Sequence, residues 1–300
     1  MNFFLLIALL TGLGSTADLS VWEFDGSCEP HRVAIQKAYN DAEIMAVKAQ
    51  EDFKMLSSAR PAYPAGRTQR ISNWDRVSRA VVNMFGFVPN PRGHDTKEAH
   101  YSNVMYVFDR MVKTLQQGEM VPEKGYGGLK PLMVCTEDVF TWVGQDDADP
   151  HDPARRPLHE SRPDVVKGGH VGAWVYKKRY FAQLKKDSVG ICRKNKWAVT
   201  LTRFDFLILC PKSFTGEMAQ TASAVDAKNG VKVSDSLDTF GHTSLSRVMV
   251  HEFAHWFGSD GKGAPGDRQA FKYATRGANA ALFSSYRSTD GRQKWRLRLP

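Results

Sequence analysis

His251, Glu252 and His255 stand in the run His-Glu-Phe-Ala-His, and their types and spacing suit one kind of chemistry. On a helix, residues four apart are rotated by about 40°, and the residue after the first falls inside the same arc of roughly 100°. Two neutral imidazoles aimed at one point are ligands for zinc, and a carboxylate beside them can serve as a base toward water. The expected cofactor is Zn2+, held by His251 and His255, with Glu252 as the general base. The competing account is two hydrogen-bonded core histidines beside a salt-bridged glutamate. Without a metal, that account leaves a costly charge in the interior.

The element that must position these groups reads as a helix. Thr243 or Ser244 offers an N-cap, and Gly258 stands where a left-handed residue would end it. Met249, Phe253 and Trp256 make one apolar row, and Val250, Ala254 and Phe257 make a second. Such a helix is buried, with only the His251/Glu252/His255 face turned to a cavity.

A catalytic zinc takes three protein ligands and keeps one position for water. No histidine follows His255, and the place of a third histidine in the longer His-Glu-x-x-His-x-x-Gly-x-x-His pattern is Gly261. No glutamate follows Glu252, so a glutamate from a later helix is also excluded. The remaining acids are Asp260, Asp267 and Asp290. Asp260 would need an immediate reversal after the helix, which Gly258 and Gly261 permit. Asp267, beyond Gly263 and Pro265, has room to turn back toward the metal.

The chain opens with an apolar run from Phe3 to Leu10 that leads to Ser15-Thr16-Ala17, the pattern of a secretory signal cleaved after Ala17. That run is too short to span a membrane, and no later stretch is long and apolar enough to do so. Export agrees with four cysteines, Cys28, Cys135, Cys192 and Cys210, expected as two disulfides with Cys192–Cys210 the favoured pair. Forty-one Lys and Arg against 32 Asp and Glu give a net charge of +9. The bases are dispersed and no aromatic repeat interleaves them, so specific nucleic-acid binding is not expected, whereas attraction to acidic polymers is. No Asn-x-Ser/Thr sequon occurs.

Helical stripes dominate the first half. Ile35, Ala38, Ala42, Met45, Ala49, Phe53 and Leu56 form the first, with Pro30 suited to its opening turn. Trp74, Val77, Val81 and Phe85 form the second, stopped at Gly86. Asp95-x-x-Glu98 resembles a capping box ahead of a third, whose face is Tyr101, Val104, Met105, Phe108, Met111, Val112 and Leu115, ended by Gly118. Short β-rich runs follow at Leu132–Cys135, His170–Tyr176, Ala198–Thr202 and Phe206–Cys210. Between them Gly144–Arg162 reads as an irregular surface loop, in which His151 and His159 are ordinary polar residues rather than ligands. Residues 18–286 are expected as one domain, with a basic tail at 287–300 rich in Arg and Lys.

Residues 251–283 resemble the aspzincins, the deuterolysin-type metalloendopeptidases secreted mainly by fungi. Asp267, in Gly266-Asp-Arg-Gln-Ala-Phe271, resembles the aspartate that serves that family as third zinc ligand. The Cys28-led helical stripe, Met84-Phe-Gly86 and Ile208-Leu-Cys-Pro-Lys-Ser-Phe214 agree with it through most of the mature chain. The resemblance implies a zincin-like α+β fold, helices on a small twisted sheet with the motif helix lining a cleft. It also implies zinc held by His251, His255 and Asp267, and hydrolysis of peptide bonds in protein or peptide substrates. There are departures: Ala264-Pro-Gly266 precedes the aspartate, and Phe271 stands where the family has a tyrosine that assists the transition state. Tyr273 is the nearby candidate for that role, and Asn279-Ala-Ala-Leu-Phe283 keeps little of a further family segment. The rival expectation is a secreted zinc-binding effector or interaction protein with weak or no catalysis.

Overall fold

Four short strands make the centre of the molecule, and the two inner ones are apolar at every position. The computed structural model describes residues 17–62, 68–93, 99–186, 190–192, 196–228 and 244–259. The strands are β1 (Glu23–Phe24), β2 (Leu132–Val134), β6 (Ala198–Leu201) and β7 (Phe206–Leu209), in the order β1-β2-β7-β6. The first three are mutually parallel and β6 runs antiparallel to β7, with Ala198 opposite Leu209. Alternation sends Met133, Leu207 and Leu209 to one face and Leu132, Val134, Phe206 and Ile208 to the other, and all seven are fully buried. A sheet covered on both faces needs such unbroken apolar runs.

One cover is helical. A 3-10 stretch, Gly26–His31, leads into α1 (Arg32–Leu56), followed by α2 (Gln69–Phe85) and α3 (Ala99–Gln117). α1 and α3 pack together and both pack on the motif helix, while Trp74, Val77, Val81 and Phe85 of α2 close a second cluster with Phe53 and Leu56. Gly86 (φ 74°) and Gly118 (φ 68°) take the left-handed conformation after α2 and α3, as the sequence predicts. The first stripe is shifted in part: Tyr39 and Ala46 are buried, whereas Met45 and Ala49 are half-buried, because α1 meets α3 and the motif helix over a broader arc. The capping box at 95–98, residues 1–16 of the signal expected at 1–17, and the tail expected at 287–300 lie outside the described residues.

The other cover is a second sheet that the sequence only half reveals. It is the antiparallel set β3 (Thr141–Gly144), β4 (Gly172–Tyr176) and β5 (Arg179–Gln183). Trp174 and Phe181 lean on the central sheet, and Val143, Ala173, Val175 and Tyr180 build a cluster on the far side. β5 escapes sequence reading because its hairpin turns through Lys177 (φ 43°) and Lys178 (φ 62°), positions that normally call for Asn or Gly.

The Gly144–Arg162 stretch is not the irregular surface loop that its polarity suggests. It holds the one-turn α4 (Leu158–Ser161) and a bridge between Ala148 and Pro157. Asp149 is buried within it, accepting the His151 amide at 2.9 Å and the hydroxyls of Tyr180 at 2.7 Å and Ser161 at 2.8 Å. His151 Nε2 accepts the Lys178 amide, and His159 Nδ1 lies 2.9 Å from the Gln145 carbonyl oxygen, both structural bonds.

Two short helices, α5 (Gly216–Gln220) and α6 (Ala224–Ala227), precede the motif helix α7 (Leu245–Gly258). The class is α+β. Disulfides join Cys28 to Cys135 and Cys192 to Cys210. Among the described residues no helix is long and apolar enough to cross a membrane.

Candidate metal centre

α7 is apolar on most of its surface, and that sets it between α1, α3 and β6. Phe253, Trp256, Phe257 and Met249 are fully buried; Trp22 stacks on Phe253 (5.6 Å) and meets Trp256 edge-on (5.1 Å), and Tyr39 meets Phe253 edge-on. Ser244 is the N-cap, although its side chain makes no capping bond. At the other end the expectation for Gly258 is wrong: it is the last helical residue, and the chain leaves through Ser259 in extended conformation (φ −81°, ψ 147°). The Tyr126 hydroxyl on the Trp256 and Ser259 carbonyls does the work a left-handed glycine would have done.

His251 and His255 are half-buried on one face of α7, and their Nε2 atoms lie 2.9 Å apart with the rings nearly perpendicular (84°). Burial pushes the pKa of His251 down to about 4 and that of His255 to about 3, with His251 alongside adding to the second. Both are neutral at physiological pH, the form that ligates metal. The convergence fits a shared cation. With Zn–N bonds of about 2.0–2.1 Å in tetrahedral geometry the two nitrogens would be about 3.3 Å apart, so a small ring rotation opens the pair to ligand spacing. In the metal-free form the same contact is a hydrogen bond from one tautomer to the other.

Glu252 departs from the expectation of a carboxylate opening onto the same cavity. It is only 4% exposed, because its side of α7 packs on β6, where Thr200 shares the helix-facing side with Ala198. Thr200 Oγ1 lies 2.7 Å from Glu252 Oε2 and 3.0 Å from the Glu252 carbonyl oxygen. Burial raises the pKa of Glu252 to about 7, against the lowering effect of the Thr200 bonds. A hydroxyl has one proton, so both contacts are satisfied together when the carboxyl is protonated and donates to Thr200 while Thr200 donates to the carbonyl. Thr200 is a site residue that motif reading misses; its signal is β6 parity, visible once the strand is known to lie on α7.

Among the described residues, no three His, Cys, Asp or Glu side chains close on one point. Asp267, Asp260 and Tyr273 lie outside the described residues, so the structure brings together His251 and His255 and leaves the third ligand to the sequence. One further charge belongs to the neighbourhood. Arg247, one helical turn before His251, is buried, and burial lowers its pKa. In comparisons with known proteins, no family model, no curated protein and no solved structure matches the chain.

Proposed function

We propose that the chain is a secreted zinc-dependent metalloendopeptidase of zincin-like fold, with His251, His255 and Asp267 holding the metal and Glu252 acting as general base. The observation that carries this reading is the approach of the two neutral Nε2 atoms to 2.9 Å on a helix whose other faces are packed. The two disulfides agree with an exported protein. Bound zinc supplies a Lewis acid that makes a water acidic and polarises a carbonyl oxygen. The rest falls to side chains. His251 and His255 present lone pairs in their neutral form. Glu252, deprotonated, takes a proton from the attacking water and passes it to the leaving amine nitrogen. Thr200 holds that carboxyl and limits its swing.

A second reading, a secreted zinc-binding protein with little catalysis, is favoured by the burial of Glu252 and its bond to Thr200, and by Phe271 in place of a tyrosine. Glu252→Gln separates the two. Under the peptidase reading it abolishes chelator-sensitive release of casein fragments while about one zinc per chain remains. Wild-type protein that binds zinc yet releases no fragments supports the second reading, and loss of metal from Glu252→Gln comparable to that from His255→Ala removes Glu252 from the role of base.

A further inference from the structure

Tyr126 and Arg110, both remote from the motif in sequence, meet at the end of α7, and Asp205 holds the loop that carries Tyr126. Asp205 is fully buried in left-handed backbone (φ 54°), and its carboxylate accepts the amides of Tyr126, Gly127 (2.7 Å) and Leu129 (3.3 Å). The loop is shaped to that carboxylate: a Cβ at Gly125 or Gly127 would come within 2.6 Å of an Asp205 oxygen. Side chains are therefore excluded at both positions, and Tyr126 between them is fixed.

The Tyr126 hydroxyl lies 2.7 Å from the Trp256 carbonyl oxygen and 3.1 Å from that of Ser259, and it receives Arg110 Nη2 at 3.1 Å. Arg110 also donates to the Val121 carbonyl at 3.2 Å and reaches the Ser259 carbonyl at 3.5 Å. The Tyr126 ring packs on Trp256 (5.3 Å), and Thr202 Oγ1 is 3.2 Å from Ser259 Oγ. The last carbonyls of a helix lack partners within it, and its C-terminus favours a cation. Here a tyrosine hydroxyl and a guanidinium fill both needs from outside the helix. Trp256 is the residue after His255, so pinning its carbonyl holds the last turn of the helix next to the residue that carries the second imidazole. Pinning Ser259 fixes the residue that caps α7.

We infer that Asp205, Tyr126 and Arg110 form a positioning clamp that sets the last turn of α7, and with it His255, for metal binding. The inference rests on the zinc reading above. Its test is zinc affinity by chelator competition on the full-length exported protein, with melting of the metal-free form measured in parallel. Tyr126→Phe keeps the ring and loses the hydroxyl. It is expected to weaken zinc binding about tenfold, the usual scale for a partner that orients a ligand, while the metal-free melting curve stays close to wild type. Arg110→Lys keeps the cation and is expected to lose less. Should Tyr126→Phe fail to fold, Arg110→Lys against Arg110→Gln carries the test, with the glutamine variant binding zinc more weakly. Wild-type zinc affinity in a folded Tyr126→Phe, or equal affinity in the two Arg110 variants, overturns the clamp alone. A wild-type protein that binds no zinc overturns the zinc reading and the clamp with it.

Discussion

At the scale of single residues the account turns on Thr200 and Glu252. The carboxyl is buried against β6, and Thr200 is the hydroxyl that orients it. Thr200→Val preserves shape and removes that bond. It is expected to lower kcat at least tenfold with metal content unchanged, because the base loses its orientation while the imidazoles keep theirs. Steady-state kinetics with metal analysis on the same preparation checks this, and a variant with undiminished kcat would free Glu252 from any dependence on β6. The meeting of His251 and His255 was legible because four-residue spacing is a property of the sequence, whereas the turning of Glu252 onto β6 was not. Thr200 was not legible, since its nearness to Glu252 is made by the packing of a strand 52 positions away.

Among the elements, the stretch between β3 and β4 shows how polarity misleads. Its acids and prolines read as a solvated loop, yet Asp149 is the buried hub that ties His151, Ser161 and Tyr180 together. Burial acts to raise the Asp149 pKa, but the His151 amide and the two hydroxyls outweigh it and hold the carboxyl below its ordinary value. A depressed folded value means the stabilisation is complete above the unfolded pKa of about 3.9 and is lost as pH falls through the lower folded value. Asp149→Ala is expected to cost about 3 kcal/mol at pH 7, from several charge-assisted bonds lost at once. The deficit relative to wild type should shrink as pH drops below about 4. Urea unfolding at pH 7 and pH 3 measures both, and a deficit independent of pH would deny Asp149 its charged role. The long helices α1, α2, α3 and α7 were legible because their stripes are long, whereas the short α4, α5 and α6 were not. β1 and β3 were not, since two residues leave no pattern and Thr141–Gly144 lacks the unbroken apolar run that marks β2 and β7, and β5 was hidden by a Lys-Lys turn.

For the whole molecule, two cross-links and one proposed metal tie distant parts of the chain. Cys28–Cys135 closes a separation of 107 residues, and Cys192–Cys210 one of 18. Chain entropy assigns about 4.7 kcal/mol to the first and about 3 kcal/mol to the second. Replacing Cys28 and Cys135 by serine is therefore expected to lower the urea midpoint more than replacing Cys192 and Cys210. The opposite order would locate the stabilisation in native contacts instead. Cys192–Cys210 was the pairing favoured from sequence, on the ground of a short loop between two strands. Cys28–Cys135 was not read from the sequence, because nothing local announces a bond between the 3-10 stretch before α1 and the residue after β2. The metal would be the third tie, and it is the central claim. Zinc per chain, measured after exhaustive dialysis for wild type, His255→Ala, Asp267→Ala and Asp260→Ala, tests it most directly. The account predicts about one zinc for wild type and Asp260→Ala, and little for His255→Ala and Asp267→Ala. A metal-free wild type would contradict it outright, and zinc retained by Asp267→Ala but lost from Asp260→Ala would contradict the choice of third ligand.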